Sequence, residues 1–190
     1  INHILLPFDF SNQCLQIAPY VSAISTHFEA KITVLGVIPA AWDTKSPEWP
    51  SLSGLQDPEA EVRSRLKVVA AELFSGLAAE VSTALGDAAF QIVQHARTHG
   101  ADLIMMPTHG FGTLRTKLIG SVTAKVLHDA DCPVWTGVHL ELAPSVSAIH
   151  FGQIVVGLDL GPQSPKTLRW AAGLAAEYGA RLTIVHAAPP

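Results

Sequence analysis

Several features that would assign a chain to a special class are scarce in these 190 residues. The two cysteines, Cys14 and Cys132, are too few for a disulfide framework and fit a reducing compartment. Charged side chains make up only 15% of the chain, and its 12 basic residues form no cluster, which argues against nucleic acid or an anionic membrane as a partner. No uninterrupted apolar run approaches the roughly 18 residues that a membrane-spanning helix needs.

The sequence also lacks the polar composition of a disordered chain. Hydrophobic residues make up 48% of it and the mean hydropathy is +0.31, which predicts a large buried core. At roughly 150 residues per domain, the length predicts about 1.3 domains. No secretory signal opens the sequence, because Ile1 already begins a strand-like run, and we expect a cytoplasmic protein. With no initiator methionine and an end at Pro190, we expect the sequence to be part of a longer chain.

An internal repeat divides the sequence. Residues 151–190 align without gaps on residues 1–40 at a constant offset of 150. The identical pairs are Ile4/Ile154, Asp9/Asp159, Gln13/Gln163, Ala30/Ala180, Thr33/Thr183 and Pro39/Pro189. The repeat predicts a whole domain over residues 1–140, a linker over 141–149 and the opening of a second copy over 150–190.

Apolar runs of strand length alternate with helical periodicity in the first copy, as in β-α-β units around a parallel sheet. Ser11, and Asp57 or Pro58, mark helix starts, and Gly100 marks a helix end. Strands are predicted over residues 4–8, 31–38, 81–85, 101–106 and 133–138. The prediction is an α/β domain with a doubly wound five-stranded parallel sheet, of the Rossmann-like or flavodoxin-like class. Residues 39–56 are predicted to form a long mobile loop.

The same patterns continue in the second copy. A strand is predicted over residues 153–158, a helix from Pro165 to about Tyr178, and a second strand over 181–186. Alone, such an element exposes an apolar face that soluble monomers rarely tolerate. It also lacks a glycine loop to accompany Asp159. We therefore expect at most one complete ligand site per chain, in residues 1–140.

The residues that carry chemistry lie after the predicted strands. In doubly wound sheets, ligands bind beyond the carboxyl ends of the strands, where the strand order reverses. Asp9 follows strand one, and residues 110–121 lead from strand four into a helix. Gly110 lets the backbone leave the strand closely, and Gly120-Ser121 opens a helix whose free N–H groups suit a phosphate. The two segments predict an anion site that faces Asp9.

With these residues the chain resembles the universal stress protein family, whose nucleotide-binding signature is Gly-x2-Gly-x9-Gly-[Ser/Thr]. The matching segment reads Pro107-Thr108-His109-Gly110-x9-Gly120-Ser121, and the tail from Ser121 to Val134 is similar to the family's closing helix and strand. The resemblance covers residues 1–140, and 151–190 as the start of a second copy. It implies a fold related to the adenine-nucleotide α-hydrolases and a stress-response module that binds ATP, with or without Mg²⁺.

The resemblance also implies where the nucleotide lies. Asp9 would bind the ribose, with Met106 beside the sugar. The base would lie between residues 7–9, which begin with Pro7, and the backbone around Val37. The phosphates would lie against a glycine loop and a helix start formed by Gly110, Gly120, Ser121 and Val122.

Two residues of the signature need separate comment. Pro107 stands where the first glycine belongs, and because proline has no N–H, one backbone donor is lost on the ribose side of the loop. His109 invites a catalytic role, but no carboxylate partner is visible in the sequence. We therefore interpret it as a hydrogen-bonding histidine of the nucleotide loop. The other histidines lack metal-ligand spacing, so no metal site is predicted.

Asp9 also has a plainer interpretation, as a turn residue that caps the following helix. A receiver-type acidic pocket would need a second acidic residue after strand one, where Phe10 and Ser11 stand instead, and an aspartate ending strand three, where Leu85 and Gly86 stand. Both the repeat partner Asp159 and the position at the switch point favour ligand binding.

Three functions compete. The leading one is a regulatory module that binds ATP and is not an enzyme, with at most slow ATP hydrolysis. The alternative is a dimeric interaction module that no longer binds ATP, for which Pro107 is the main argument. An α-hydrolase-type enzyme is disfavoured, because such enzymes usually have a glycine-rich loop after strand one and residues 9–13 contain no glycine. The predicted strand over 133–138 has no matching strand within the chain, so we expect a homodimer.

Overall fold

The fold comes from a computed structural model that describes residues 1–39, 57–108, 119–137 and 144–187. Contacts divide the chain into two units, Ile1–Val146 and Ser147–Pro190. The loop predicted over residues 39–56 lies, apart from its first residue, outside the described ranges. Of the helices in these ranges, none is both long and apolar enough to cross a membrane.

The first unit alternates strands and helices in the predicted order. Its elements are β1 (His3–Pro7), α1 (Asn12–Phe28), β2 (Lys31–Ile38), α2 (Pro58–Leu73), β3 (Ala79–Leu85), α3 (Ala88–His99), β4 (Leu103–Pro107), α4 (Ser121–Asp129) and β5 (Val134–Gly137). The strands form one parallel sheet in the order β3-β2-β1-β4-β5. The predicted doubly wound, five-stranded α/β fold is confirmed.

Local signals set most of the element ends. The side chains of Ser11 and Asp57 accept backbone N–H groups from the first turns of α1 and α2, so both are N-caps. Gly100 ends α3 in the left-handed conformation, with φ 64°. Strand β3 begins at Ala79, earlier than predicted, because Ala79 is already paired with Ile32 of β2.

Strand β4 begins at Leu103 rather than at the predicted Ala101. The N–H of Ala101 donates to Ala96 O at 2.8 Å, so this residue still belongs to the end of α3. The carboxylate of Asp102 accepts backbone N–H groups from Asn2 and His3, at 2.7 and 3.0 Å, and so turns toward the start of β1. These three hydrogen bonds tie Ala101 to α3 and Asp102 to the start of β1, and the strand begins at Leu103.

The core fills both faces of the central strands. All residues of β1 and β4 are buried, and in β2 only Lys31 is exposed. On one face, α3 and α4 cover a cluster that includes Leu5, Leu35, Ile92, Ile104, Met106 and Val126. Continuously apolar strands are expected in a parallel sheet that is covered on both faces.

The second unit is a single β-α-β element. It contains β6 (Gln153–Gly157), α5 (Ser164–Tyr178) and β7 (Arg181–Val185), and a short 3-10 turn (Val146–Ala148) spans its boundary with the first unit. Its strands are parallel, and Gln153 pairs with Arg181. In the first unit His3 pairs with Lys31, so the two units share one register at an offset of 150 residues.

The pairing between β1 and β4 is the shortest in the described sheet. It joins Ile4 to Leu103 and Leu5 to Ile104. On its other side, β1 stays paired with β2 as far as Pro7. The carboxyl ends of β1 and β4 are therefore neighbours that no strand pairing joins.

Two prolines explain why this ladder stops. Backbone N–H groups alternate between the two sides of a strand. Phe8 donates to a carbonyl of β2, and Ile104 donates to the carbonyl that precedes β5. Pro7 is one residue from Phe8, and Pro107 is three residues from Ile104, so each proline nitrogen points to the opposite side of its strand. The Pro7 nitrogen therefore faces β4, and the Pro107 nitrogen faces β1. Because proline has no N–H, the ladder has no donor at either position.

Helix side chains contact the carbonyl groups at these two strand ends. Thr123, at the start of α4, donates its hydroxyl to Pro107 O at 3.1 Å. Cys14, in the first turn of α1, lies with its Sγ 3.7 Å from Pro7 O. Both side chains are buried. The end of β4 is thus held by a helix, and the end of β1 is contacted by a helix.

The amino-terminal end of the sheet carries a histidine cluster. His3 is buried, with Nε2 2.7 Å from Thr33 Oγ1 and Nδ1 3.2 Å from His99 O. The rings of His95 and His99 are stacked, with centroids 3.9 Å apart. Burial, and then the charges of His99 and His3, lower the pKa of His95 to about 4. Burial is also the main cause that lowers the pKa of His3.

Thr123→Val tests the buried bond to Pro107. The change keeps the side-chain shape but leaves the Pro107 carbonyl without its donor, so we expect the free energy of unfolding to fall by about 1–3 kcal/mol. Thr98→Val is the matched control, because the Thr98 hydroxyl bonds the Gln94 carbonyl on the exposed face of α3. Chemical denaturation should show a change below about 0.5 kcal/mol for the control. Equal losses in the two variants would contradict the buried bond.

The lowered pKa of His95 predicts a pH-dependent stability. Between pH 6.5 and about 4 the unfolded chain takes up a proton at this residue and the folded chain does not. The free energy of unfolding should therefore be fully present above pH 6.5 and decline as the pH falls toward 4. In His95→Gln the decline should be smaller by about 1 kcal/mol, a value reduced for the partial exposure of the ring. Urea denaturation at pH 7 and pH 4.5 measures this, and equal declines would refute it.

Candidate functional site

The strand order reverses between β1 and β4. From β1 the chain winds outward through β2 and β3, and from β4 it winds the other way to β5. Their connections therefore leave on opposite sides, and a crevice forms beyond the carboxyl ends of the two strands. The proline-interrupted ladder lies at this same point, so no strand pairing closes the crevice.

Asp9 stands at the mouth of the crevice, in the loop between β1 and α1. Its Oδ1 accepts the backbone N–H of Ser11 at 2.9 Å and lies 3.1 Å from Cys14 Sγ. Within the described part of the chain, all hydrogen bonds of this carboxylate are made by Oδ1. The helix cap is Ser11, so the interpretation of Asp9 as the cap of α1 is wrong.

The loop after Asp9 is strained. Phe10 has φ 65°, in the left-handed region that side chains other than glycine rarely adopt. Such a conformation costs about 1–3 kcal/mol and persists only where the surroundings impose it. The ring of Phe10 packs edge-on against Phe8, with centroids 5.5 Å apart, and this contact helps to hold the loop.

The start of α4 forms the second part of the site. Gly120 is the N-cap, its N–H donates to Thr108 O at 2.8 Å, and no side chain of the described residues caps the helix. Ser121 and Val122 are the first helical residues and are exposed. Their N–H groups have no intrahelical acceptor, and they lie at the positive end of the helix dipole. This is a suitable arrangement for binding a phosphate.

The remaining predicted residues lie near the carboxyl ends of β1, β2 and β4 or outside the described ranges. Val37 is 9% exposed and Met106 is 5% exposed, and both side chains belong to the core cluster. The Met106 side chain therefore packs in the core. Pro7 and Pro107 end the two central strands. The predictions for His109 and Gly110 fall on residues that the structure does not describe.

Sequence reasoning missed two residues of the site, Cys14 and Thr123. Thr123 carries no sequence signal, because its partner Pro107 is distant along the chain. Cys14 has one, since the residue at the equivalent position of the repeat is Ser164, which is also a small hydrogen-bond donor.

The cysteines of the first unit are poor nucleophiles. Burial, and then the negative charge of Asp9, raise the pKa of the Cys14 thiol far above its usual range. Burial also raises the pKa of Cys132. Both therefore remain thiols at neutral pH. In the described ranges, no group of three or more His, Cys, Asp or Glu residues is placed to hold a metal ion.

Comparisons with known proteins agree with this architecture. The model of the universal stress protein family matches residues 1–136 and 150–190. Universal stress protein MJ0531 from Methanocaldococcus jannaschii is 31% identical over 135 residues, which are 69% of this chain and 78% of the relative. A universal stress protein from Archaeoglobus fulgidus superimposes with a TM-score of 0.76 at 25% identity, covering 99% of this chain and 68% of that one.

A universal stress protein solved in complex with cAMP shares the fold at 18% identity, with a TM-score of 0.53 over 74% of this chain and 98% of that one. The family match extends over both copies of the repeat and includes the strand ends and the helix start that form the crevice. The chain belongs to the universal stress protein family.

Proposed function

We propose that this stress-response protein acts as a regulatory module that binds ATP in the crevice between β1 and β4. The observation that carries the proposal is the juxtaposition, at one switch point, of an aspartate and a helix start without a side-chain cap. A phosphate and a ribose on one ligand match these two groups. The neighbour solved with cAMP shares the fold, so the fold accommodates an adenine nucleotide in that protein.

The phosphates are assigned to the start of α4. Gly120 adds no side chain there, and the exposed first turn at Ser121 and Val122 offers backbone N–H groups and one hydroxyl. Gly110 is proposed to complete the phosphate site, with His109 as a hydrogen-bonding neighbour. Mg²⁺, where present, would accompany the phosphates as part of the nucleotide.

The sugar and base are assigned to β1 and β2. Asp9 is proposed to accept hydrogen bonds from the ribose hydroxyls, because Oδ1 is held by the loop and Oδ2 is left for a ligand. The base is placed between residues 7–9 and the backbone at Val37. Strand pairing sets Pro7 opposite Leu35, so Val37 lies at the same end of the sheet as Asp9.

Pro107 distinguishes this site from the signature of its family. Its nitrogen faces the gap between β1 and β4, so the missing N–H is one that would point toward the ligand. Its carbonyl is occupied by Thr123. Affinity for ATP should therefore depend mainly on the helix start and Asp9. The same observation favours the second candidate, a family member that acts as an interaction module without ATP.

We further propose a binding role without significant catalysis, in the cytoplasm, and a homodimer. The dimer would form through β5, which is an edge strand of the sheet. The Pro133 carbonyl accepts the N–H of Ile104 in β4, and backbone groups alternate between the two sides of a strand. The N–H of Thr136, three residues later, therefore points away from β4 and toward the open edge. Residues 150–190 are proposed to be the opening of a second domain of the same family, which residues 141–149 link to the first.

Gly120→Val tests the phosphate site. Gly120 has φ −57° and ψ 148°, a conformation open to valine, so the fold should persist while the side chain enters the phosphate space. We expect ATP binding to weaken by about 1–3 kcal/mol in calorimetry.

The matched control for this variant is Gly157→Val, in the second unit. A Cβ at Gly157 meets no atom within 4 Å, so its ATP affinity should equal that of the wild type. If Gly120→Val binds ATP as tightly as the control, the site assignment is wrong. If the wild type binds no ATP, the interaction module becomes the better account.

Thr136→Pro tests the dimer. It removes an outward-facing N–H from β5 without removing a bond to β4, so it should block edge pairing and keep the fold. Light scattering should give twice the chain mass of 20.2 kDa for the wild type and the single mass for the variant. A wild type that stays monomeric over a wide concentration range would refute the proposal.

A further inference from the structure

The Asp9 loop has an unusual donor. Cys14 Sγ lies 3.1 Å from Asp9 Oδ1, and Cys14 is 2% exposed. Because burial and the Asp9 charge keep it protonated, the S–H can donate to the carboxylate. The backbone N–H of Cys14 also bonds Ser11 Oγ at 3.3 Å, which fixes the thiol in the first turn of α1.

The second unit repeats this arrangement with oxygen in place of sulfur. Asp159 Oδ1 accepts the backbone N–H of Gly161 at 2.8 Å and the hydroxyl of Ser164 at 2.8 Å. These donors lie two and five residues after the aspartate, the same spacing as in the first unit. They lower the pKa of Asp159, Gly161 contributing more than Ser164, so they favour the charged carboxylate.

The backbone of the two loops also matches. Phe10 has φ 65° and Leu160 has φ 62°, and each directly follows its aspartate. Phe10 packs against another ring, whereas Leu160 is 69% exposed, so side-chain packing does not explain the shared strain. What the loops share is the aspartate held by two donors.

We infer that Cys14 is a positioning residue of the nucleotide site, whose thiol holds Oδ1 of Asp9 so that Oδ2 is presented to the ribose hydroxyls. This inference rests on the proposed function. It makes Cys14 a hydrogen-bond donor and not a reactive thiol. In the second unit, the Ser164 hydroxyl holds Oδ1 of Asp159 in the same way.

The test compares ATP with 2′,3′-dideoxy-ATP, which lacks the ribose hydroxyls. Calorimetry on the full chain measures both dissociation constants for the wild type, Cys14→Ser and Cys14→Ala. The ratio compared is the dissociation constant for dideoxy-ATP divided by that for ATP. Cys14→Ser copies Ser164 and should keep the wild-type ratio. Cys14→Ala removes the donor and should reduce the ratio about fivefold or more while leaving the affinity for dideoxy-ATP unchanged.

Other outcomes overturn the inference in distinguishable ways. An unchanged ratio in Cys14→Ala, or equal weakening of both nucleotides, would show that Cys14 has only a structural role. A wild type that binds both nucleotides equally would remove the ribose contact and leave ATP binding intact. A wild type that binds neither contradicts the proposed function itself. Should Cys14→Ala fail to fold, Cys14→Val removes the donor while filling the space, and the same ratios apply.

Discussion

The ends of β1 and β4 lie side by side within a parallel sheet. Because these strands end in Pro7 and Pro107, no N–H group joins the two ends. The Pro107 carbonyl instead accepts the Thr123 hydroxyl of α4, and Cys14 of α1 lies with its Sγ 3.7 Å from the Pro7 carbonyl. These contacts draw the first turns of two helices to the place where the strand order reverses. The interrupted ladder therefore coincides with the switch point, where the connections of a doubly wound sheet leave a crevice.

The two ends of the sheet have opposite chemical character. At the carboxyl end, the Asp9 carboxylate and the positive end of the α4 dipole follow neighbouring strands, and the ligand proposed there is an anion with hydroxyl groups. At the amino end, His3 and His95 have pKa values lowered mainly by burial, which keeps them neutral at physiological pH. Ligand binding is proposed at the carboxyl end, while the buried histidines at the amino end contribute to stability.

Much of the fold was predictable because its signals are local. Gly100 fixes the end of α3 through its own conformation, and the β-α alternation determines the fold class. The start of β4 was not predictable, because Asp102 bonds the amino end of β1, about 100 residues away in sequence. For the site, position relative to the strands identified Asp9 and Gly120. The roles of Thr123 and Cys14 depend on tertiary contacts, and only Cys14 had a signal, in the repeat. The predictions for His109 and Gly110 lie outside the described residues.

A two-dimensional NMR titration of the chain with ATP tests the central claim most directly, because each backbone amide reports on its own surroundings. The account predicts that the largest shifts occur around Asp9, Val37 and the first turn of α4, and that the amides of His95 and His99 at the opposite end of the sheet do not move. Shifts confined to the histidine end, or no shifts at saturating ATP, would contradict it.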